Sequence, residues 1–271
     1  MSWRARLALV EKDGPTEQDR LTEKDSLAGQ DRFQRILLWA VSLLFVMGSI
    51  LAAPHGDFLN DAQAVPLFWR GMGLMGVGFV GSWLLRKMGW AWFWGVVIAP
   101  RIILLSMYPG DDIWRYLWEG HIQNLGFNPY LLAPDADVLI PLRFDWWGEI
   151  NHSHLAGIYP PITQLGFRLL AAMSPSVLLF KSAFVAADLC ICGLLSNRFG
   201  YRATLLYAWN PLIMYSFAGG GHYDSWFLLP LVVAWLAWEK KVGDGLADNG
   251  LSALRTPLSA LAIGLSVGIK W

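Results

Sequence analysis

Long apolar runs separated by short polar stretches make up most of the chain from residue 36 onward. A helix needs roughly 20 mostly apolar residues to cross a hydrocarbon core of about 30 Å, because lipid offers no partner for unpaired backbone groups. The runs predict seven spans: Ile36–Ala53, Val65–Leu85, Met88–Met107, Ser176–Ser196, Ala203–Ala218, Ser225–Trp238 and Leu258–Trp271. The pattern therefore predicts an all-α, polytopic membrane bundle of about seven spans, occupying residues 36–271, with a long outer loop containing interfacial helices.

Composition supports this interpretation. Hydrophobic residues make up 55% of the chain, charged residues 15%, and the mean hydropathy is +0.39, which is unlike an ordinary soluble domain. The formal net charge is zero because 21 basic residues balance 21 acidic ones. These charges segregate between the two ends of the predicted spans, so they indicate topology and give no reason to expect a nucleic acid partner.

One apolar stretch decides the predicted topology. Residues 162–173 are apolar but only about half as long as a span needs to be, so we expect a short helix that does not cross. The basic loops at 86–87, 197–202 and 239–255 then share the side of the N-terminal tail, in agreement with the positive-inside rule. If the stretch crossed, four basic residues would move outside: Arg198, Arg202, Lys240 and Lys241.

This topology predicts an inner-membrane protein with a cytoplasmic N-terminus. The tail 1–35 mixes acids and bases and is expected to be poorly ordered. It lacks the pattern of a cleaved signal peptide, so the first span is expected to be retained. A long acidic loop, 108–161, and a short second loop, 219–224, are predicted to lie outside. All five histidines fall in predicted outer segments: His55, His121, His152, His154 and His222.

The acidic loop opens with a segment, 111–121, that is typical of an amphipathic helix. Asp111 and Asp112 suit its N-terminal turn. One stripe of the helix carries Asp111, Arg115 and Glu119, and a neighbouring stripe carries Asp112 and Tyr116. The apolar side is predicted to lie on the membrane surface: Ile113, Trp114, Leu117, Trp118 and Leu125. A capping acid with a salt bridge would explain part of this pattern, but a second adjacent carboxylate remains free to act as a base.

The second loop joins two spans through a run of glycines, residues 219–221. Glycines permit a tight turn and close approach of a ligand to the backbone. A plain turn needs no histidine or acid, so we expect His222 and Asp224 to point into the same outer vestibule as Asp111 and Asp112.

Ionisable residues within the predicted spans also need an explanation, because such groups usually face a cavity or a partner. Arg101 is expected to reach an anionic head group. Lys181 and Asp188 share a helix face, where both would face a common cavity or partner. In the alternative, Lys181 extends toward the interface and Asp188 forms a hydrogen bond within the bundle. Cys190 and Cys192 diverge by about 200° on one helix, so they are expected to be core residues without a disulfide or a metal.

Several motifs occur in order along the chain: Asp111 to Gly120, Asn128-Pro129-Tyr130, Tyr159-Pro160-Pro161, Trp209-Asn210-Pro211-Leu212 and Gly221-His222-Tyr223-Asp224. This set resembles the GT-C superfamily of membrane glycosyltransferases, and in particular bacterial mannosyltransferases that use polyprenyl-phosphate mannose. The resemblance implies a fold of many helices, an acidic outer loop, a sugar donor carried on a lipid phosphate, a glycan or glycolipid acceptor and an inverting displacement.

The resemblance also implies roles for individual residues. Asp111 or Asp112 would take the proton of the acceptor hydroxyl. The predicted substrate-binding residues are Arg101, Arg115, Tyr116, Glu119, His222, Asp224 and Lys270. Among these, Arg101, Arg115, His222 and Lys270 would hold the leaving phosphate. No organic cofactor is expected, and a divalent metal ion is left open.

Two departures from the resemblance affect these expectations. The acidic loop follows the third predicted span, whereas in many GT-C enzymes it follows the first. The chain also ends at Trp271 inside an apolar segment of roughly 14 residues, which is short for a span, so we expect a fragment or a truncated relative. The alternatives are a transporter or lipid-handling protein, or an inactive truncated relative.

Overall fold

The computed structural model describes the backbone of residues 17–243 and 251–270, and the side chains of residues 29–238 and 257–270. The first part of the predicted tail, residues 1–16, the centre of the basic loop, residues 244–250, and Trp271 lie outside these ranges, as do the side chains of Lys240 and Lys241.

The described ranges contain helices and no strand, so the prediction of an all-α fold is confirmed. The α-helices are α1 Glu17–Ala52, α2 Ala64–Ser82, α3 Trp90–Leu105, α4 Asp112–Asn124, α5 Pro161–Met173, α6 Val177–Ala208, α7 Pro211–Met214, α8 Ser225–Gly243 and α9 Leu251–Lys270. Two 3-10 helices, Asp137–Leu142 and Asp145–Glu149, lie in the loop 108–161, for which we keep the name outer loop as a label only, and a π-helical turn occupies Tyr215–Gly220.

Three helices are long and apolar enough to cross a membrane: Gly29–Ala52, Ala64–Ser82 and Val177–Ala208. Three shorter apolar helices cover parts of other predicted spans: Trp90–Leu105, Ser225–Trp238 and Pro257–Lys270. These helices are compatible with a membrane protein, while the count of seven spans stays a prediction. The short helix expected at 162–173 is present as α5 and has 13 residues.

Helix α1 begins well before the first predicted span. We expected a poorly ordered tail up to residue 35, but the helix extends back to Glu17. More than half of residues 17–35 are Gln, Arg, Glu, Leu, Lys or Ala, which favour helix even where no apolar face drives packing. The expectation was therefore wrong for residues 17–35.

The fifth predicted span is broken rather than straight. Helix α6 bends at Gly200, where φ is 76° and ψ is 166°, and the chain then runs alongside α3. Tyr201 stacks on Phe93, near the start of α3, at 4.8 Å between ring centroids. At the other end, the Gly110 N–H, just beyond α3, donates to the Gly220 carbonyl over 2.9 Å. A predicted straight helix is thus replaced by the end of α6, α7 and the π-helical turn.

Two buried cations join α3 to α6. Arg101 Nε lies 2.5 Å from Asp188 Oδ2, and both side chains are almost fully buried. Lys181 Nζ donates to the carbonyl oxygens of Leu104, Leu105 and Met107 at 3.3, 3.0 and 2.9 Å. Positive charge at a helix C-terminus satisfies carbonyls that have no partner within the helix. These contacts fix the end of α3 from which the acidic loop departs, which we call the Asp111 end of the bundle.

Helix α4 lies in a core and not on a surface. Ile113, Leu117 and Trp118 are all buried, so the predicted apolar side on the membrane surface is wrong. One reason is α5, whose Phe167 stacks on Tyr116 at 4.6 Å between centroids. The other is that the outer loop folds over the helix: Trp118 and Ile122 form one apolar cluster with Leu139 and Ile150. The sequence gives no local signal that a loop will cover a helix face.

The two cysteines differ in their exposure to solvent. Cys192 is buried and Cys190 is exposed, and both are free. Since residues two apart on a helix point in different directions, only one of them can face the bundle interior here. The expectation that both are core residues was wrong for Cys190.

Candidate functional site

Two adjacent carboxylates stand at the start of α4. The side-chain amide of Asn151 donates to Asp111 Oδ2 over 3.1 Å and to Asp112 Oδ1 over 3.0 Å. Asp111 occupies the N-cap position of α4, yet its side chain makes no capping hydrogen bond. Asp111 is exposed and 39% of the Asp112 side chain is exposed. Both carboxylates are therefore accessible and are tied to the outer loop instead of to the helix end.

The second loop meets this pair. His222 Nδ1 lies 3.9 Å from Asp112 Oδ2, which is the proximity expected from the sequence. Gly221 supports it because its φ is 77° and a Cβ there would overlap Ile113, so only glycine fits without strain. The turn that carries His222 is thus seated directly on the first turn of α4.

A second charged pair closes the site. Lys270 Nζ, at the end of α9, lies 2.5 Å from Asp224 Oδ1, and about one third of each side chain is exposed. The Lys270 amino group also lies 5.0 Å from the centre of the Tyr223 ring, within the range of a cation–π interaction. The last described helix therefore brings a cation to the second loop.

Three tyrosines connect the two charged pairs. The rings of Tyr116, Tyr159 and Tyr223 pack edge to face, with centroids 5.1 to 5.6 Å apart. Burial, together with the nearby Asp112 carboxylate, raises the pKa of each hydroxyl, and that of Tyr223 to about 12. The three hydroxyls are therefore neutral at physiological pH and can donate hydrogen bonds beside Asp112 and Asp224.

Arg115 is buried one turn further along α4. Its Nε donates to Glu119 over 2.8 Å. Its terminal nitrogens donate to four main-chain oxygens of the outer loop: those of Asn151 at 3.5 Å, His152 at 3.1 Å, Leu155 at 2.5 Å and Ala156 at 2.8 Å. These contacts use all five N–H donors of the guanidinium, so Arg115 holds the loop that carries Asn151 and has no donor left for a phosphate.

Glu119 lies behind Arg115 and away from the acid pair. Its second oxygen accepts from the Gln164 side chain of α5. Burial raises the pKa of Glu119 above its ordinary value, although the hydrogen bonds from Arg115 and Gln164 oppose this shift. The structure therefore places Glu119 between α4 and α5, where it positions Arg115.

Arg101 is also separate from the acid pair. Besides Asp188, it donates to the carbonyl oxygens of Val97 and Ala208 over 2.7 and 3.0 Å. Only 1% of its surface is exposed, so a head group entering from outside does not meet it. Of the predicted substrate-binding residues, the structure groups Tyr116, His222, Asp224 and Lys270 with the acid pair, and it places Arg101, Arg115 and Glu119 in supporting positions.

A row of half-exposed aromatic rings leads away from the acid pair. Tyr108, Trp114, Trp146 and Phe144 follow one another with centroid distances of 5.8, 5.7 and 5.0 Å. Burial and then a hydrogen bond to Glu149 raise the pKa of Tyr108, so it too remains neutral. We refer to these four rings as the aromatic row.

Sequence reasoning missed Asn151 and the role of Lys181. Asn151 lies in a polar stretch of a long loop, and nothing in its neighbours indicates that it bridges two carboxylates. The sequence predicts Lys181 within a span and, from its spacing, on the same helix face as Asp188. Only the fold shows that Lys181 binds carbonyls at the end of α3 while Asp188 binds Arg101.

Comparisons of the chain with protein-family models, with curated proteins and with solved structures found no match. Within the described ranges, no group of three or more His, Cys, Asp or Glu side chains is arranged to hold a metal ion.

Proposed function

We propose that this chain transfers a sugar, with mannose as the first candidate, from a polyprenyl-phosphate donor to a glycan or glycolipid acceptor. The observation that carries the proposal is the pair of accessible carboxylates, Asp111 and Asp112, bridged by Asn151 and flanked by His222 at one end of an apolar bundle. The resemblance of the ordered motifs to GT-C mannosyltransferases supports the same reaction.

In the proposed step, the acceptor hydroxyl oxygen attacks the anomeric carbon of the donor sugar. Its proton passes to a carboxylate, the bond between the anomeric carbon and the phosphate oxygen breaks, and its electron pair leaves with the lipid phosphate. The configuration inverts because there is a single displacement. A positioned general base contributes typically about 10²- to 10⁴-fold to such a step.

Asp112 is the better placed of the two carboxylates for this task. It faces His222 and it lies near the hydroxyls of Tyr116, Tyr159 and Tyr223, whereas Asp111 lies toward solvent. Asp111 and Asn151 then hold Asp112 in place. From the sequence alone, Asp111 and Asp112 are equal candidates for the base.

His222 and Lys270 are the proposed phosphate contacts. Both are about one third exposed at the side chain. His222 lies beside Asp112, and Lys270 lies over the ring of Tyr223. Hydrogen-bond donors and cations placed where negative charge develops stabilise the transition state. Arg101 and Arg115 are not proposed to bind the leaving phosphate, because their N–H groups already donate to partners inside the protein.

The aromatic row supports a sugar as the substrate. Aromatic rings offer flat apolar faces with polar edges, which suit the apolar face of a pyranose ring. Because the row includes Tyr108 and Trp114, which lie just before and just after the acid pair in the chain, a glycan lying along it would present a hydroxyl to Asp112.

We place the reaction on the outer face of the bacterial plasma membrane, with the N-terminus in the cytoplasm. The basic loops at 86–87 and 197–202 support this orientation through the positive-inside rule. Cysteine labelling tests it: a cysteine introduced at position 222 should react with an impermeant reagent from outside, and one at position 240 should not. Labelling of position 222 from the cytoplasm would reverse the orientation.

The function is tested by assaying membranes that contain the chain with a panel of lipid-linked sugars. Asp112→Asn is expected to lower transfer by at least about 10²-fold, and Asp111→Asn by less. Asp135→Asn, an exposed carboxylate of the same loop, serves as the matched control and should leave transfer unchanged. Full activity in an inserted Asp111→Asn/Asp112→Asn double variant, or no transfer from any lipid-linked sugar by the wild type, would overturn the proposal.

A further inference from the structure

Two clefts lie side by side at the end of the bundle opposite Asp111. The larger, of about 950 Å³, lies between α1 and the turn that joins α2 to α3. The smaller, of about 410 Å³, lies between that turn and residues 201–205. Arg86 and Arg202 line both clefts, so the two spaces share one cationic wall.

The charge of this wall is not neutralised by its described neighbours. Arg86 donates from Nη1 to the Gln30 amide oxygen over 3.2 Å, and its backbone N–H donates to the Gln34 amide oxygen over 2.8 Å. Both partners are neutral amides, so they orient Arg86 and do not compensate its positive charge. Lys87 adds a third cation to the smaller cleft, and no acidic residue stands among the described residues that line either space.

The larger cleft also has exposed apolar walls. Phe33 is 58% exposed, Leu84 63% and Trp83 42%, and all three line it. Phe33 and Trp83 belong to or adjoin helices that are apolar enough to cross a membrane. Tryptophan is enriched where such helices meet the head-group layer. The cleft therefore combines cations with apolar surface at the level where a lipid has its phosphate and the start of its acyl chains.

We propose that this pair of clefts binds the head group of an anionic phospholipid, with Arg86 and Arg202 on the phosphate and with Phe33, Trp83 and Leu84 against the acyl chains. Basic pockets between membrane helices have the chemistry that recognises such head groups. A free phosphate would leave the apolar walls unused, and a zwitterionic lipid would bring a positive charge to a cationic wall. The proposal is independent of sugar transfer, since the clefts lie at the opposite end of the bundle.

The test is a titration of the purified full chain in neutral detergent with phosphatidylglycerol, followed by native mass spectrometry. Removing each arginine is expected to weaken binding about fivefold, so the Arg86→Gln/Arg202→Gln variant should bind about 25-fold more weakly. Arg86→Lys/Arg202→Lys keeps the charge and should bind within about twofold of wild type. Arg70→Gln/Arg168→Gln removes two exposed arginines from elsewhere on the surface and should match wild type.

Three outcomes would overturn the proposal. The first is unchanged phosphatidylglycerol affinity in the glutamine double variant, and the second is equal affinity for phosphatidylcholine. The third is full displacement of the lipid by inorganic phosphate at physiological concentration, which would indicate a phosphate site instead. If the double variant unfolds in the absence of lipid, as judged by circular dichroism, the two single glutamine variants provide the same test through their fivefold effects.

Discussion

Lys270 Nζ lies 2.5 Å from Asp224 Oδ1, so the last described helix reaches back to the loop that also carries His222. The contact is flanked by aromatic rings, with the Lys270 amino group 5.0 Å from the centre of Tyr223 and 5.8 Å from that of Phe227. A cation in this position can exchange its carboxylate partner for a phosphate without moving far. This makes α9 part of the proposed site and not only of the bundle.

Lys270→Met is expected to raise the KM for the lipid-phosphate donor by roughly 10- to 100-fold, because a hydrogen bond to a charged group is typically worth about 1.5–3 kcal/mol. The effect on kcat should be smaller if Lys270 already contacts the phosphate when the donor is bound, before the reaction begins. Steady-state kinetics with a varied donor concentration measures both values. Lys270→Arg, which keeps the charge, should recover part of the loss, and an unchanged KM in Lys270→Met would remove Lys270 from the site.

The buried Arg101–Asp188 pair gives a prediction about stability. Removing one partner leaves a buried charge without compensation, so Arg101→Met should lower the free energy of unfolding by about 3–5 kcal/mol. Replacing both, in Arg101→Met/Asp188→Leu, should recover most of that loss. Denaturant titration in detergent, followed by tryptophan fluorescence, compares the three proteins.

The same double variant separates sugar transfer from transport. A transporter that uses Asp188 in a relay through the bundle would lose its function when the pair is replaced by apolar residues. A glycosyltransferase with its chemistry at Asp112 should keep transfer as long as the variant folds. Loss of transfer in a stably folded double variant would show that the Arg101–Asp188 pair takes part in the reaction, against the supporting position described for Arg101.

Gly120→Ala tests the contact between α4 and α5. A Cβ on Gly120 would overlap the Phe167 carbonyl group and crowd Ala171, so the two helices would have to separate. We expect a loss of roughly 1–3 kcal/mol, as for overpacking in a core, visible as a lower unfolding temperature. Gly76→Ala on α2, where nothing lies within 4 Å of the added Cβ, is the matched control and should be neutral or slightly stabilising. Equal behaviour of the two variants would contradict the packing described for α4.

The Glu119 carboxyl predicts how stability depends on pH. Burial raises its pKa above 4.5 in the folded protein, whereas in the unfolded chain it keeps its ordinary value. The folded state therefore binds the proton more tightly, and the contribution of Glu119 to stability is fully present below pH 4.5 and is lost as pH rises through the folded pKa.

Glu119→Gln should remove this pH dependence. The difference in unfolding temperature between wild type and Glu119→Gln, followed from pH 4 to pH 7, isolates the contribution of this one group from the other carboxyls. A wild type that gains stability over the variant as the pH rises would reverse the sign and refute the assignment.

The parts of the fold that depend on local sequence could be predicted. The limits of α4 follow from the acidic first turn and from the Asn and Gly residues among 124–128, and α5 begins at a proline that suits a first helical turn. The position of His222 beside Asp112 also followed, because the glycine run leaves few residues in the second loop.

The parts that depend on distant contacts could not be predicted. The apolar side of α4 has the same pattern whether it meets lipid, α5 or a folded loop, and the pattern alone does not distinguish them. Arg101 and Arg115 were both expected to hold a phosphate, but apart from Glu119, four residues along the helix from Arg115, their partners are far away in sequence or are main-chain atoms. Main-chain oxygens carry no sequence signal, so the partners of a buried arginine stay hidden until the fold is known.

Arg115 binds the outer loop through main-chain carbonyl oxygens, which every amino acid has. Residues 155 and 156 could therefore change identity while the loop keeps its path and Asn151 stays over the carboxylates. Such a loop is free to diversify, and its exposed side chains could be exchanged to suit a different ligand without rebuilding the acid pair.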